Sequence, residues 1–286
     1  MYRIVRKEAL KPTVILYEIE APMVAKKAEP GQFIILRVDE NGERIPITIH
    51  DYDREKGTVT IIVQTVGATT EKLSHKQQGE FIQDFVGPLG RPTETEGKKK
   101  VCVVGGGVGC AIAYPVLKKF HDCGAEVHAV VGFKNKDVVI LEDKFKSASD
   151  VMKLVTDDGS YGEKGFTTKY LQDEIEANIK EGKPQFDRVI AIGPDIMMKF
   201  LADVTRPYGI KTIISLDPIM VDGTGMCGGC RVIVGGETKF ACVDGPDFDA
   251  HEVDFDSLIK RAAFYKDEQD EAAKHICNMT GGKRNG

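Results

Sequence analysis

The sequence predicts an all-β half, then a doubly wound α/β half, then a small C-terminal element, and three observations carry this. Through the first hundred residues, short runs rich in Val, Ile, Thr, Tyr and Phe alternate with Gly, Pro, Asn and Asp. From residue 98 the pattern changes to buried strands alternating with amphipathic helical stretches, the signature of a parallel sheet covered on both faces. From about Pro218 that alternation stops, and three cysteines fall within 16 residues, 227 to 242.

Six runs make up the first half: residues 2–10, 13–22, 31–39, 44–53, 57–67 and 81–90. Their spacing of about ten residues fits a six-stranded antiparallel β-barrel. Residues 91–100 are polar and read as a linker. Residues 98–109 form a strand that enters a glycine-rich turn, and 110–124 form a helix with Pro115 near its first turn or at a kink. A strand over 125–133, a helical stretch over 141–153 and a strand over 153–159 follow. Then come a helix over 167–182, a strand over 187–194, a helix over 195–209 and a strand over 211–217. The last part holds the cysteines, a hairpin over 231–243 and a helix over 255–276, with residues 280–286 frayed. The implied units are residues 1–97, 98–219 and 220–286.

Composition narrows the function classes. The chain has 286 residues, 42% hydrophobic and 29% charged, with a net charge of -5. That suits a globular protein with a sizeable core and disfavours a general nucleic-acid binder. No apolar run approaches the roughly 20 residues needed to span a membrane, and the N-terminus lacks a signal-peptide core, so a cytoplasmic protein is expected. Seven cysteines, an odd number in a long chain, argue against a secreted disulfide framework.

Cys227 and Cys230 form a C-x2-C pair among Gly223, Gly225, Gly228 and Gly229, and Cys242 returns on the far side of the hairpin. Glycines let a backbone wrap closely and aim N–H groups at sulfurs. Asp222 stands five residues before Cys227, where a plant-type C-x4-C-x2-C cluster has its first cysteine, and a carboxylate can ligate iron. Zinc held by three thiolates and His251 competes with iron–sulfur, as do a disulfide and plain buried thiols. Cys102, Cys110, Cys123 and Cys277 are scattered and read as buried small residues.

Gly105, Gly106, Gly107 and Gly109 follow a strand and open a helix, where free N–H groups suit a phosphate. The strict G-x-G-x-x-G spacing fails at Cys110, and the acidic residue expected after the second strand is absent. Gly193 and Pro194 end a strand at the ligand-binding edge of the same sheet. Met197 and Met198 after them read as helix core. Lys134 and Lys136 could pair with a 2'-phosphate, or form a solvated loop. The acidic stretch 244–256 reads as a solvated loop or a partner-facing surface.

In the β half, Arg44, Pro46 and Thr48 form R-x-P-x-T, in which Arg offers a fork for a pyrophosphate. Gly67, Ala68, Thr69 and Thr70 make a second turn before a helix-like stretch, and Gly87 to Gly90 read G-P-L-G. Each is weak alone. Their order, with the glycine turn and the cysteines after them, resembles the ferredoxin–NADP reductase superfamily over nearly the whole chain. Within it the chain is similar to electron-transfer subunits of dihydroorotate dehydrogenases. It is more similar to the small (alpha) subunits of NADH-dependent reduced ferredoxin:NADP oxidoreductases, the electron-bifurcating transhydrogenase or sulfide dehydrogenase type.

That resemblance implies an FAD held by Arg44, Pro46 and Thr48, with Thr48 nearest the isoalloxazine and so at the reacting centre. It implies the FAD pyrophosphate at Gly67, Thr69 and Thr70, and NAD(H) at Gly105, Gly106, Gly107 and Gly109, with its nicotinamide near Gly193 and Pro194. It implies a [2Fe–2S] cluster on Asp222, Cys227, Cys230 and Cys242. Dihydroorotate-type subunits have Cys where this chain has Asp222, which favours the transhydrogenase branch. The implied partner is a larger flavin and iron–sulfur subunit that binds NADP(H) and ferredoxin in a heterodimer, with no nucleic acid and no membrane. The alternatives are a dihydroorotate dehydrogenase subunit and a zinc-stabilised scaffold with an empty nucleotide fold.

Overall fold

The computed structural model describes residues 1–264, 266–269 and 271–272. The N-terminal half comprises β1 (Tyr2–Lys11), β2 (Val14–Glu20), α1 (Pro22–Ala25), β3 (Phe33–Arg37), β4 (Arg44–Thr48), β5 (Asp51–Asp53), β6 (Thr58–Gln64), α2 (Ala68–His75), β7 (Phe81–Ile82) and β8 (Asp84–Leu89). There are eight strands here in two antiparallel sheets, not six in one barrel. Their orders are β5-β6-β2-β1-β7 and β4-β3-β8. The difference lies in two runs that change sheets midway. Residues 44–53 leave the small sheet as β4 and join the large one as β5, and residues 81–90 do the reverse as β7 and β8. Bends that move a strand between sheets are how such sandwiches turn their corners.

Period-2 alternation explains how this half meets the next. On β3, Ile34 and Leu36 enter the core of the sandwich, whereas Phe33 and Ile35 face the other way and pack in a second core. Likewise Ile15, Tyr17 and Ile19 of β2 point inward, and Val14 and Leu16 join a third core with Ile62. Both faces of these strands are therefore buried.

The second half continues with β9 (Lys100–Gly106), α3 (Gly109–Asp122), β10 (Glu126–Phe133), α4 (Glu142–Ser147), β11 (Val151–Thr156), β12 (Glu163–Lys164), α5 (Thr167–Lys180), β13 (Arg188–Ile192), α6 (Asp195–Thr205) and β14 (Thr212–Ser215). β15 (Arg231–Val234), β16 (Glu237–Phe240), α7 (Ala241–Asp244), β17 (Asp247–Asp249) and α8 (Phe255–Ala262) complete it. The sheet runs β12-β11-β10-β9-β13-β14-β17, parallel except for β17. Val101 and Val103 of β9 pack with α3 and α4, and Cys102 and Val104 pack with α5 and α6 on the opposite face, so the sheet is doubly wound. The helical stretch expected over 141–153 ends at Ser147, because residues 151–156 pair along β10 as β11. Pro115 sits well inside α3, not in its first turn. The acidic stretch is not all loop: Asp247–Asp249 pairs antiparallel with β14 and buries Phe248. The expected last helix is described as α8 to Ala262; Cys277 and the frayed end lie outside the described residues. Among the described residues, no helix is long and apolar enough to cross a membrane.

Candidate functional site

Chain order forces a crevice where the sheet reverses direction. β9 is flanked by β10 on one side and β13 on the other, so connections leave it in opposite directions at its C-terminal edge. A cleft of about 720 Å³ opens there, between the two halves of the molecule. It is lined by Pro46 and Thr48 from β4, by Gly106, Gly107 and Gly109, by Gly193 and Pro194, and by Gly229 of the cysteine loop. Segments as far apart in sequence as Pro46 and Gly229 thus face one space. Lys134 lines it as well.

The glycines of the turn have separate reasons. A Cβ on Gly105 would meet Cys110 Sγ at 2.8 Å, one on Gly106 Met197 Sδ at 2.5 Å, and one on Gly109 the Ile192 carbonyl oxygen at 2.6 Å. These three permit close packing of strand, helix and the neighbouring loop. Gly107 alone has a left-handed φ, +56°, with open space beside it, and its N–H donates to the Gly132 carbonyl. Gly105 does not line the cleft.

Arg44 points elsewhere. Its Nε donates to the Val221 carbonyl at 2.7 Å, so it ties β4 to the start of the cysteine loop rather than facing the cleft. Gly67, Thr69 and Thr70 also lie outside the cleft lining, at the N-terminus of α2. There Thr70 Oγ1 accepts from the Gly67 N–H at 3.0 Å and donates to its carbonyl at 2.9 Å. Thr69 Oγ1 donates to Glu43, the residue before Arg44, at 3.0 Å, so this turn stands beside β4.

Two cleft residues that the sequence reading missed are Asp195 and Asp217. Partial burial raises the Asp195 carboxyl to about 6, and the charge of the exposed Asp217 adds to it. Asp195 opens α6 just past the end of β13, and Asp217 lies just past the end of β14; that position at the ligand edge of a parallel sheet was the available signal.

The cysteine loop is built from polar anchors and left-handed glycines. Asp222 Oδ2 accepts from the Thr224 N–H at 2.9 Å, the Thr224 hydroxyl at 2.5 Å and the Met226 N–H at 3.2 Å. Gly223, Gly225 and Gly228 have φ of +84°, +89° and +67°. The Gly229 N–H donates to Cys227 Sγ at 3.5 Å, and such N–H groups, with those of Asp222 and Val221, hold the Cys227 thiol below its ordinary pKa. The β15–β16 hairpin and α7 bring Cys242 Sγ to 3.2 Å from Cys230 Sγ, both buried, while Cys227 is exposed. Burial and then Cys230 push the Cys242 thiol up to about 12.

Among the described residues, no three His, Cys, Asp or Glu side chains are arranged around the position of a single metal ion. His251, the histidine of the zinc alternative, has its Nε2 3.0 Å from Thr205 Oγ1. One close pair of sulfurs, Cys230 and Cys242, with a backbone N–H aimed at Cys227, is a donor set that suits an iron–sulfur cluster.

The fold, with antiparallel sheets beside a parallel nucleotide sheet, is the ferredoxin-reductase type. The ferredoxin reductase of carbazole 1,9a-dioxygenase has it too, with a TM-score of 0.59 over 73% of this chain and 65% of that one, at 16% identity. Residues 217–254 match the iron–sulfur cluster binding domain of dihydroorotate dehydrogenase B. A dihydroorotate dehydrogenase B electron-transfer subunit homolog of Thermotoga maritima is 48% identical over 93% of this chain and 92% of its own length. The electron-transfer subunit of Shouchella clausii is 34% identical over 82% and 90%. The chain belongs to this family of electron-transfer subunits and is a subunit of an oxidoreductase. The structure of NADH-dependent reduced ferredoxin-NADP oxidoreductase, solved for its flavin-based electron bifurcation, matches with a TM-score of 0.88 at 45% identity, over 96% of this chain and 97% of that one.

Proposed function

We propose that this chain is the small subunit of an NADH-dependent reduced ferredoxin:NADP oxidoreductase, carrying FAD, NAD(H) and a [2Fe–2S] cluster. When bound, FAD and the cluster would supply the change from a two-electron hydride donor, NADH, to electrons passed singly. The observation that carries it is the cleft, where Pro46 and Thr48 face Gly106, Gly107, Gly109, Gly193 and Pro194 with the cysteine loop at one side. β4 presents Thr48 to the flavin, and the Gly67, Thr69 and Thr70 turn beside it offers the N-terminus of α2 to a phosphate. Arg44 braces the cysteine loop against the flavin strand. Gly105, Gly106 and Gly109 bring the α3 N-terminus close to β13, and Gly107 opens it to the NAD pyrophosphate. Asp195 and Asp217 accept hydrogen bonds from the uncharged end of that nucleotide, away from its phosphates. Cys227, Cys230 and Cys242 supply three thiolates. Asp222 supplies the fourth ligand through Oδ1, since the loop's three hydrogen bonds all fall on Oδ2.

The partner is a larger flavin and iron–sulfur subunit that takes NADP(H) and ferredoxin. The family match over residues 217–254 favours a second reading, an electron-transfer subunit of a dihydroorotate dehydrogenase. Anaerobic purification of the native complex tests both. The first reading expects about one FAD, two irons and two acid-labile sulfides on this chain, flavin bleaching by NADH, and a partner that reduces NADP. A partner that oxidises dihydroorotate selects the second reading; zinc without labile sulfide sinks both. Asp222→Ala should change the reduced-cluster EPR spectrum, and an unchanged spectrum removes Asp222 from the ligand set.

A further inference from the structure

α3 contains a proline where a helix needs a donor. Pro115 has no N–H, so the carbonyl four residues earlier, Ala111, loses its helical partner. The replacement comes from the other half of the molecule. His50, between β4 and β5, is 2% exposed, and its Nδ1 lies 2.7 Å from the Ala111 oxygen. A carbonyl only accepts, so Nδ1 carries the proton and Nε2 is left as an acceptor. Lys144 Nζ of α4 stands 3.3 Å from that Nε2 and lies over the Tyr114 ring, itself 5.6 Å from the imidazole. Burial, with Lys144 beside it, lowers His50 to about 4, so the ring is neutral around pH 7. The His50 N–H donates to Thr60 of β6, which fixes its backbone to the sandwich.

This contact sits at the root of the cleft. His50 is two residues from Thr48, and Ala111 is two residues from Gly109; both Thr48 and Gly109 line the cleft, as does Ile112. Around it this seam is mostly apolar, Val14, Leu16 and Ile62 against the α3 core, and apolar contact does not set register; the other polar contact of α3 with this half is the Lys119–Glu29 ion pair at 3.8 Å, between two side chains that are each about two-fifths exposed.

We propose that His50 is a positioning residue for hydride transfer: its Nδ1–H, held by the carbonyl that Pro115 leaves free, fixes the flavin wall of the cleft against the nucleotide wall. The proposal rests on the cleft holding FAD on one wall and NAD(H) on the other. Each nucleotide then keeps its own binding wall when the latch is cut, and only their separation changes. The limiting rate of transfer therefore falls, while half-saturation by NADH stays. Misplacement of reacting groups by about 1 Å can cost roughly 100-fold, and a loss of about tenfold is expected here.

The test uses the native complex with stopped-flow flavin reduction by NADH. His50→Asn puts an amide N–H where Nδ1 was, and His50→Gln puts it where Nε2 was. His50→Asn should retain the limiting rate, and His50→Gln should lose about tenfold at unchanged flavin and iron content. Adding Pro115→Ala to His50→Gln returns a donor to Ala111 from within the helix. That double variant should recover thermal stability but not rate, since the His50 contact between the two walls remains cut. Equal rates in all variants, equal loss in His50→Asn and His50→Gln, or rate restored by Pro115→Ala would each overturn the proposal. Nitrogen-15 imidazole spectra of the native chain supply a reading independent of turnover. A neutral Nδ1–H tautomer for His50 supports the latch, and an Nε2–H tautomer sinks it. A native complex in which NADH reduces no flavin sinks the functional reading instead, and leaves the tautomer to judge the contact.

Discussion

Two segments of this chain carry four glycines each, and they use them for opposite reasons. At the end of β9 and the turn after it, Gly105, Gly106 and Gly109 have no room for a side chain, and only Gly107 needs a left-handed backbone. In the cysteine loop, Gly223, Gly225 and Gly228 all have left-handed φ. Gly223 is crowded as well, against Leu89 and Ile35, but Gly225 and Gly228 face only looser neighbours. The turn lies between a fully buried strand and a largely buried helix. The loop is open, with Met226 87% exposed, and rests on the hydrogen bonds of Asp222 and the packing of sulfurs. One region is specified by contacts between regular elements, the other by dihedral angles and by whatever its sulfurs bind.

The largest effect that separates them is expected at Cys230. Cys230→Ala should empty the loop of iron and labile sulfide and cut electron delivery to the partner by at least about 100-fold, the upper end of what an outer-shell change costs. NADH should still bleach the flavin, because the turn does not depend on the loop's ligand. Iron analysis and stopped-flow absorbance read this, and simultaneous loss of flavin reduction would show that the two regions are not separable.

Gly109→Ala comes next. Its Cβ would press on the Ile192 carbonyl and on Gly193 Cα at 2.9 Å, both backbone, which cannot swing aside. The expected cost is about 3 kcal/mol by urea unfolding, with weakened NADH binding. A cost near zero would mean that β13 and α3 are free to separate.

Asp247 sits on the seam between the two regions, where β17 joins the end of the cysteine element to the sheet. Its carboxyl accepts from Thr93 Oγ1 at 2.6 Å, and burial raises it to about 6 despite help from Thr93 and Ser215. The folded state thus holds this proton more tightly than the unfolded state. Its stabilising contribution is complete below the ordinary carboxylate value of 3.8 and is lost as pH rises through about 6. Asp247→Asn should flatten unfolding free energy across that window by roughly 3 kcal/mol, as measured by denaturant titration at a series of pH values. An unchanged slope would move the effect to another group.

The smallest effect is expected at Gly107→Ala, where only φ opposes a side chain, at about 1 kcal/mol. If thermal unfolding shows it to cost as much as Gly109→Ala, the division of the turn's glycines into packing and dihedral roles fails.

Much of this was legible beforehand, for local reasons. Alternation and amphipathic period placed the parallel strands and most helices within a few residues, because burial of one face repeats along each element. The spacing of Cys227, Cys230 and Cys242, and the glycines after β9, marked the two regions without any alignment. The missed features depend on partners far away. The runs at 44–53 and 81–90 look continuous, yet each changes sheets where another strand claims its second half. The hydrogen bond from Arg44 Nε to the Val221 carbonyl, 177 residues on, had no local signal either. Asp195 and Asp217 look like surface carboxylates until two strand ends bring them into one cleft.

The sequence by itself determined which elements form and which chemistry the chain can offer, since propensity, periodicity and ligand spacing act over a few residues. Only the tertiary structure decided which of those residues face each other. Pro115 leaves a carbonyl without a donor in any conformation of α3. That His50 supplies the proton, 61 residues away in the other half, follows from packing Val14, Leu16 and Ile62 against that helix. Hydrophobic burial brings two surfaces together without direction, and the polar contact it encloses then selects one register.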